Sequence, residues 1–223
     1  MRHITSPVLA HLLLAAGAAH AAVPVEACDA ASFQTVLHAA LAQYDARAVW
    51  LDARLVKWPG ADAGARFKLY HSPTAAIDAR KGGKVSGAAG ALALTRFDGT
   101  VPAAASARFR YVAQGPVLAL AAKDMAALPE LHRQQLVLVQ EAPDGTVIAA
   151  TRVQSAGALD ALYADAGKTR DLGATAAKGR TVFKLWAPTA RDVSVCTFDS
   201  GSARASAVVP MKRDAKTGVW TAS

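Results

Sequence analysis

The side chains that could do acid–base chemistry are few and widely spaced in this sequence. Cleavage of a glycosidic bond needs two carboxylates on facing elements, and the glutamates are Glu26, Glu130 and Glu141. Most aspartates stand in turn-like stretches, where a carboxylate caps backbone N–H groups. The histidines and the two cysteines lack the close spacing of metal ligands. The sequence therefore predicts no catalytic residue, no metal site and no cofactor in this chain.

Tryptophans are the second kind of side chain that could carry a function. A flat aromatic ring packs against the apolar C–H face of a sugar, but core packing is a competing role for each ring. Spacing along the chain does not decide between these two roles. The candidates for carbohydrate contact are Trp50, Trp58, Trp186 and Trp220.

The chain is basic, with 25 Lys and Arg against 17 Asp and Glu and a formal net charge of +8. A positive charge raises the hypothesis of nucleic-acid binding, above all for residues 47–84, where cations are interleaved with Trp and Tyr. In strands, however, an alternating pattern places the charges toward solvent and the aromatic rings toward the core. We therefore expect a solvated face in this stretch and no nucleic-acid partner.

The N-terminal residues have the three-part pattern of a secretory signal peptide. A short basic start precedes an apolar run at 8–16, and Ala19-His20-Ala21 forms a cleavage site of the small-x-small type. The apolar run is too short to span a bilayer, and no other stretch reaches that length. We expect cleavage after residue 21 and a secreted or periplasmic protein without a transmembrane segment.

The two cysteines, Cys28 and Cys196, are able to pair in an oxidising compartment, but the sequence does not place them within bonding distance. Cys28 also raises the alternative of a lipoprotein. We favour this alternative less, because the apolar run of the leader ends well upstream of Cys28.

Hydrophobic periodicity predicts one helix, followed by many short strands. Residues 29–45 repeat apolar side chains at three- and four-residue spacing, as a helix does. Asp144-Gly145 separates two apolar runs and predicts a hairpin, since glycine takes the positive φ of such a turn. Residues 67–70 and 109–112 alternate apolar and polar side chains, as half-buried strands do.

This succession of short strands and turns predicts a mainly β chain. We expect an antiparallel β-sandwich domain, then a partial second immunoglobulin-like β-sandwich, with short helices. The predicted division is a signal peptide at 1–21, an N-terminal segment at 22–45, a β-domain at 46–155, a short helix and linker at 156–179 and the second sandwich at 180–223.

One stretch is specific enough to indicate a family. Residues 182–190, Val-Phe-Lys-Leu-Trp-Ala-Pro-Thr-Ala, closely resemble the opening strand of the isoamylase-type N-terminal β-sandwich, which is related to family-48 carbohydrate-binding modules. Residues 48–59 and 67–72 resemble the β-domain that precedes this module in bacterial type I pullulanases. Residues 150–160 resemble the segment that joins the two. The resemblance covers about residues 46–223.

The resemblance implies the non-catalytic front end of a secreted debranching enzyme. Such an enzyme hydrolyses α-1,6-glucosidic bonds in pullulan, starch or glycogen dextrins, and its catalytic carboxylates lie in a barrel C-terminal to the modules seen here. The implied partners are therefore an α-glucan and a catalytic barrel absent from this sequence. The family sandwich also continues with strands beyond Trp220, so we expect the second sandwich to be incomplete. The alternative function is a stand-alone glucan-binding or interaction module without hydrolase activity.

Overall fold

The computed structural model describes residues 23–30, 45–62 and 64–223. The predicted signal peptide at 1–21 lies outside the described residues, as does nearly all of the helix predicted over 29–45. The prediction of a mainly β chain is confirmed, since the described part contains thirteen strands and three short α-helices. In the same described part, no helix is long and apolar enough to cross a membrane.

Seven strands form the first domain, which we call the barrel. They are β1 (Ala48–Trp50), β2 (Leu55–Lys57), β3 (Arg66–Ser72), β4 (Gly90–Arg96), β5 (Val117–Leu120), β6 (Gln135–Glu141) and β7 (Val147–Gln154). The sheet order is β1-β2-β5-β4-β3-β6-β7, and β1 returns to β7 to close it. The closing pair is parallel, with Ala48 opposite Val153 and Val49 opposite Gln154. All other neighbours in this sheet are antiparallel.

This closure is where the structure differs from the predicted antiparallel sandwich. The two edges that meet are about 100 residues apart along the chain, so no local pattern indicates that they pair. Closure removes the exposed edges that an open sheet would present to solvent. The local predictions inside the sheet are confirmed: Asp144-Gly145 turns between β6 and β7, with φ +82° at Gly145, and residues 67–70 lie in β3.

The barrel interior holds the main core. Trp50, Trp58, Leu69, Leu118 and Leu138 are all almost completely buried there. Two further clusters cover the outside of the sheet. The loop between β3 and β4 packs apolar side chains on β6 and β7, and helix α1 (Ala103–Arg108) packs beside β2 and β5.

Residues 109–112 are not the strand that their alternation predicts. They follow α1 and end in turns, and Tyr111 is 87% exposed. Arg108 lies over the ring of Phe109, and Arg110 lies over the ring of Tyr111. Arg110, the polar member of the alternation, thus packs on its aromatic neighbour instead of facing the opposite side of a sheet.

The remaining helices lie between the barrel and the second module. A 3₁₀ helix at Ala122–Ala127 and helix α2 (Leu128–Leu131) precede β6. Helix α3 (Ala156–Leu162) and a 3₁₀ helix at Ala164–Lys168 follow β7, in agreement with the short helix predicted from residue 156. Leu128 and Ala158 are buried in the barrel core, so both helices pack against the barrel.

The second module contains the other six strands. They are β8 (Gly173–Ala177), β9 (Arg180–Trp186), β10 (Ser194–Phe198), β11 (Ala205–Pro210), β12 (Lys212–Arg213) and β13 (Val219–Ala222). One antiparallel sheet has the order β12-β13-β9-β8, and β10 and β11 form a separate hairpin. Strand β8 lies in the stretch that was predicted to be a linker. The prediction missed the strand because its small residues carry no strand signal.

A disulfide joins Cys28 to Cys196 and answers the question that the sequence left open. Cys28 lies in a 3₁₀ helix, Val25–Asp29, and Cys196 lies in β10. The carboxylate of Asp29 also accepts a hydrogen bond from the backbone N–H of Ala205, at 3.0 Å. The N-terminal segment is thereby attached to the β10–β11 hairpin.

One buried histidine, His132, has a ring nitrogen with no hydrogen-bond partner among the described residues. His132 is 5% exposed, and its ring centroid lies 5.4 Å from that of Trp50. Among the described residues neither His132 Nε2 nor Trp50 Nε1 has a hydrogen-bond partner. Because burial disfavours the charged imidazolium, the pKa of His132 falls from 6.5 to about 4.

This histidine predicts an acid-dependent loss of stability. Below pH 6.5 the unfolded chain binds the proton and the folded chain does not, so the free energy of unfolding falls as the pH drops toward 4. The share due to His132 is about 3 kcal/mol. Denaturant unfolding at pH 7 and pH 4 measures it. In His132→Phe the free energy of unfolding should fall less between pH 7 and pH 4, whereas in the control His71→Gln it should fall as in the wild type. Equal pH dependence in wild type and His132→Phe would contradict the assignment.

The disulfide predicts a redox-dependent stability. Replacing both cysteines, as Cys28→Ser with Cys196→Ser, removes a covalent link across 168 residues and lowers the free energy of unfolding by about 3–5 kcal/mol. Urea unfolding with and without dithiothreitol is the measurement. Reductant destabilises the wild type and leaves the double variant unchanged. A wild type insensitive to reductant under conditions that reduce the bond would show that the link contributes no stability.

Candidate carbohydrate-binding surface

The structure separates the four tryptophans that the sequence could not rank. Trp50 and Trp58 are 0% and 1% exposed inside the barrel, and Trp220 is 6% exposed. Trp186, at the end of β9, is 37% exposed. A sugar ring needs an open aromatic face. The role of all four in carbohydrate contact stays a prediction, and exposure favours Trp186.

Trp186 is held in place by the turn that leads into β13. It lies opposite Val219 in the β9–β13 pairing, and its indole Nε1–H donates a hydrogen bond to the carbonyl oxygen of Thr217 at 3.0 Å. Because its one polar group is already used, the ring is fixed by a backbone contact. A fixed ring loses little conformational freedom when a ligand packs on it.

Charged groups lie on the same strand face as this ring. Residues two apart in a strand share a face, which puts Lys184 beside Trp186. Lys184 Nζ lies 2.7 Å and 2.9 Å from the two carboxylate oxygens of Asp171, and it lowers the pKa of the Asp171 carboxyl below its usual 3.8. We call Trp186, Lys184 and Asp171 the Trp186 surface. It combines an aromatic ring with hydrogen-bonding groups, the two features that a sugar needs.

Trp220 lies on the opposite face of the same sheet. Trp220 is buried, and its Nε1–H donates to the carbonyl oxygen of Ala187 at 2.9 Å. Leu185, its neighbour across the pair, is 49% exposed. Trp220 is therefore part of the packing in this structure, while Trp186 presents a surface.

The glutamates do not form a facing pair. Glu26 lies in the N-terminal 3₁₀ helix. Glu130, in α2, bonds Arg133 Nη1 at 2.7 Å and Arg213 Nη1 at 3.2 Å. Glu141, in β6, is 1% exposed and is the centre of a different cluster. The carboxylates of Glu130 and Glu141 are thus occupied by cations on separate elements.

The cluster around Glu141 neutralises a buried charge. Lys68 Nζ lies 2.8 Å from one carboxylate oxygen, and the Tyr70 hydroxyl donates to the other at 2.5 Å. The hydrogen bond to Glu141 raises the pKa of Lys68, and burial followed by the same carboxylate raises that of Tyr70. This is how a buried carboxylate is tolerated, since an unpaired one would be strongly destabilising. No sequence pattern indicates that Glu141 is buried.

Ion pairs account for part of the basic stretch at 47–84. Besides Lys68, cations of this stretch pair with Asp45, Asp78 and Asp144. No group of three His, Cys, Asp or Glu side chains able to hold a metal ion occurs in the part of the chain that the structure describes.

Comparison with known families agrees with this division into two domains. Residues 45–161 match the model of the Pullulanase N2 domain. Residues 171–223 match that of carbohydrate-binding module 48, the isoamylase N-terminal domain.

The related proteins and the solved structures compared with this chain below are pullulanases. A pullulanase of Klebsiella pneumoniae is 34% identical over 176 residues, which are 79% of this chain and 16% of that protein. A pullulanase of Klebsiella aerogenes is 27% identical over 188 residues. The chain thus spans about a sixth of the length of these relatives.

Two crystal structures of Klebsiella pneumoniae pullulanase superpose on 81% of the chain with a TM-score of 0.67. The apo enzyme is 31% identical and is covered to 19% of its length. The maltotriose complex is 30% identical and is covered to 16%. The fold, the sequence and the order of the two domains point the same way, and the chain belongs to the Pullulanase N2 domain family, with its N2 domain followed by a family-48 carbohydrate-binding module of the kind found at the non-catalytic front of pullulanases.

Proposed function

We propose that this chain is the non-catalytic N-terminal part of a secreted pullulanase-type debranching enzyme. The whole enzyme would hydrolyse α-1,6-glucosidic bonds in pullulan, starch or glycogen dextrins. The observation that carries the proposal is the match of both domains, in order, to those of pullulanases. The relative crystallised with maltotriose supports an α-glucan as the ligand.

Within this chain we assign glucan contact to the Trp186 surface. The ring is exposed, its indole nitrogen is fixed on Thr217, and the Lys184–Asp171 pair supplies polar groups beside it. The apolar C–H face of a glucose ring would pack on the indole, while its hydroxyls would exchange hydrogen bonds with the ion pair. The chain therefore supplies binding, and bond cleavage belongs to a catalytic domain.

Export to an oxidising compartment is part of the same proposal. The leader pattern at 1–21 supports it, and so does the Cys28–Cys196 disulfide, because such bonds persist in secreted and periplasmic proteins. A stand-alone glucan-binding module is the alternative function. The coding sequence downstream of Ser223 distinguishes the two, since the first requires a catalytic barrel on the same polypeptide.

Trp186→Ala tests the assigned surface. Removing the ring should weaken binding to pullulan or glycogen about tenfold, the effect of losing roughly 1.4 kcal/mol. Affinity electrophoresis in gels containing the polysaccharide measures the loss as reduced retardation. Tyr111→Ala is the matched control, because Tyr111 is an aromatic residue 87% exposed on the barrel and should leave retardation unchanged. Equal retardation of Trp186→Ala and wild type would remove the assignment.

The separation of Glu130 and Glu141 on different elements, where each carboxylate is paired with cations, gives a second test. The purified 223-residue chain, with its intact disulfide, should release no reducing sugar from pullulan. A reducing-end assay over an extended incubation is the measurement, with an active pullulanase as the positive control. Turnover that survives purification, and that is lost in Glu130→Gln or Glu141→Gln, would overturn the non-catalytic role.

A further inference from the structure

The contacts between the barrel and the second module carry an inference that does not depend on glucan binding. Two domains joined by a connecting segment move relative to each other by default, unless their interface is large and apolar. Here hydrogen bonds and ion pairs cross between the two domains, and the side chains of Arg133 and Arg213, which take part in them, are 22% and 12% exposed. Three groups of contacts, on different elements, make up this joint.

The first contact is a reciprocal pair of arginines. Arg133, in the turn between α2 and β6, donates from Nε to the carbonyl oxygen of Ala190 at 3.1 Å and from Nη2 to that of Arg191 at 2.9 Å. Arg191, in the loop between β9 and β10, donates from Nε to the carbonyl oxygen of Arg133 at 3.1 Å and from Nη2 to that of Pro73 at 2.6 Å. Each guanidinium thus bonds the backbone of the other domain.

The planar fork of arginine is suited to this arrangement. A guanidinium presents several donors in a fixed geometry, so that one side chain satisfies two carbonyl oxygens at once. Bonds from a charged donor are stronger than bonds between neutral groups. The side chain of Arg133 is 22% exposed and also bonds Glu130. This ion pair orients the guanidinium toward the second module.

The second contact centres on Arg213 of β12. Its side chain is 12% exposed; Nη1 bonds Glu130 of α2 at 3.2 Å, and Nη2 donates to the Tyr163 hydroxyl at 2.9 Å. Tyr163 follows α3 and is itself 2% exposed. Glu130 therefore bonds one arginine from the barrel and one from the module.

The third contact lies at the turn that precedes β13. Lys216 Nζ lies 2.8 Å from Asp165 Oδ2, in the segment after α3. The ammonium groups of Lys168 and Lys216 lower the pKa of the Asp165 carboxyl to about 2, so this pair is ionised throughout the neutral range. A Cβ at Gly218 would come within 3.2 Å of the Tyr163 ring, so the turn lies directly on this tyrosine.

We infer that this joint is rigid: its contacts fix the second module in one orientation on the barrel, and the two domains tumble as one body. We call the Arg133–Arg191 pair the clamp. The clamp together with Glu130, Arg213 and Tyr163 is the rigid bracket. On the side of the second module, the β9–β10 loop and strand β12 make these contacts with the barrel. Because Thr217 belongs to the docked turn and also holds the Trp186 indole, the bracket sets the direction in which the Trp186 surface points.

Nuclear spin relaxation of the full chain tests this inference. Backbone ¹⁵N relaxation gives a rotational correlation time for amides of β3 and β6, and a separate one for amides of β9 and β13. The two values should agree in the wild type. In Arg133→Ala with Arg191→Ala they should diverge, with the module's value falling toward that of an isolated domain of its size. Arg180→Ala, at an exposed arginine of the same module, should keep the common value.

A milder variant keeps the test decisive if the double variant unfolds. Arg191→Lys retains the charge but lacks the fork that spans two carbonyl oxygens, and it should separate the two correlation times while barrel chemical shifts away from the joint stay unchanged. Two different values in the wild type would overturn the rigid bracket. A single shared value in both arginine variants would overturn the role of the clamp. Glucan affinity is measured separately, so loss of the proposed function leaves this result intact.

Discussion

The short parallel contact between β1 and β7 is the constraint on which the rest of the structure depends. It has only two residue pairs in register, and Thr151 extends it by bonding the backbone of Asp45 and Arg47. Closing the sheet there makes an interior for Trp50 and Trp58. It also directs the chain out of β7 into α3, whose Ala158 is buried in the core. Two residues that follow α3, Tyr163 and Asp165, belong to the joint with the second module.

Sequence patterns predicted the elements that are determined by residues close together in the chain. The Asp144-Gly145 turn and the strand at 67–70 depend on residues within the same few positions, and both are found. Residues 109–112 alternate as a strand does, yet they form turns, and Arg110 packs on the neighbouring ring of Tyr111. Residues 173–177 carry only small side chains, and they become a strand because β9 offers them backbone partners.

The candidate site could be predicted by residue type but not by position. All four tryptophans were plausible platforms, and only the tertiary packing shows that Trp186 is the most exposed of them. The Lys184–Asp171 pair joins residues 13 apart through the β8–β9 pairing, which the sequence did not indicate. Arg133 and Arg191 likewise bond backbone carbonyls of the other domain, and such contacts leave no pattern in the chain. Burial and long-range hydrogen bonds are the information that a single sequence lacks.

The Cys28–Cys196 bond has a mechanical consequence. A pull applied to the chain from its N-terminal side reaches Cys28 and passes through the disulfide directly into β10, so the 167 residues between the two cysteines carry none of the tension. The barrel lies wholly within this covalent loop. Tension arising N-terminal to Cys28 would therefore load the second module and leave the β1–β7 pairing unstretched for as long as the bond stays oxidised.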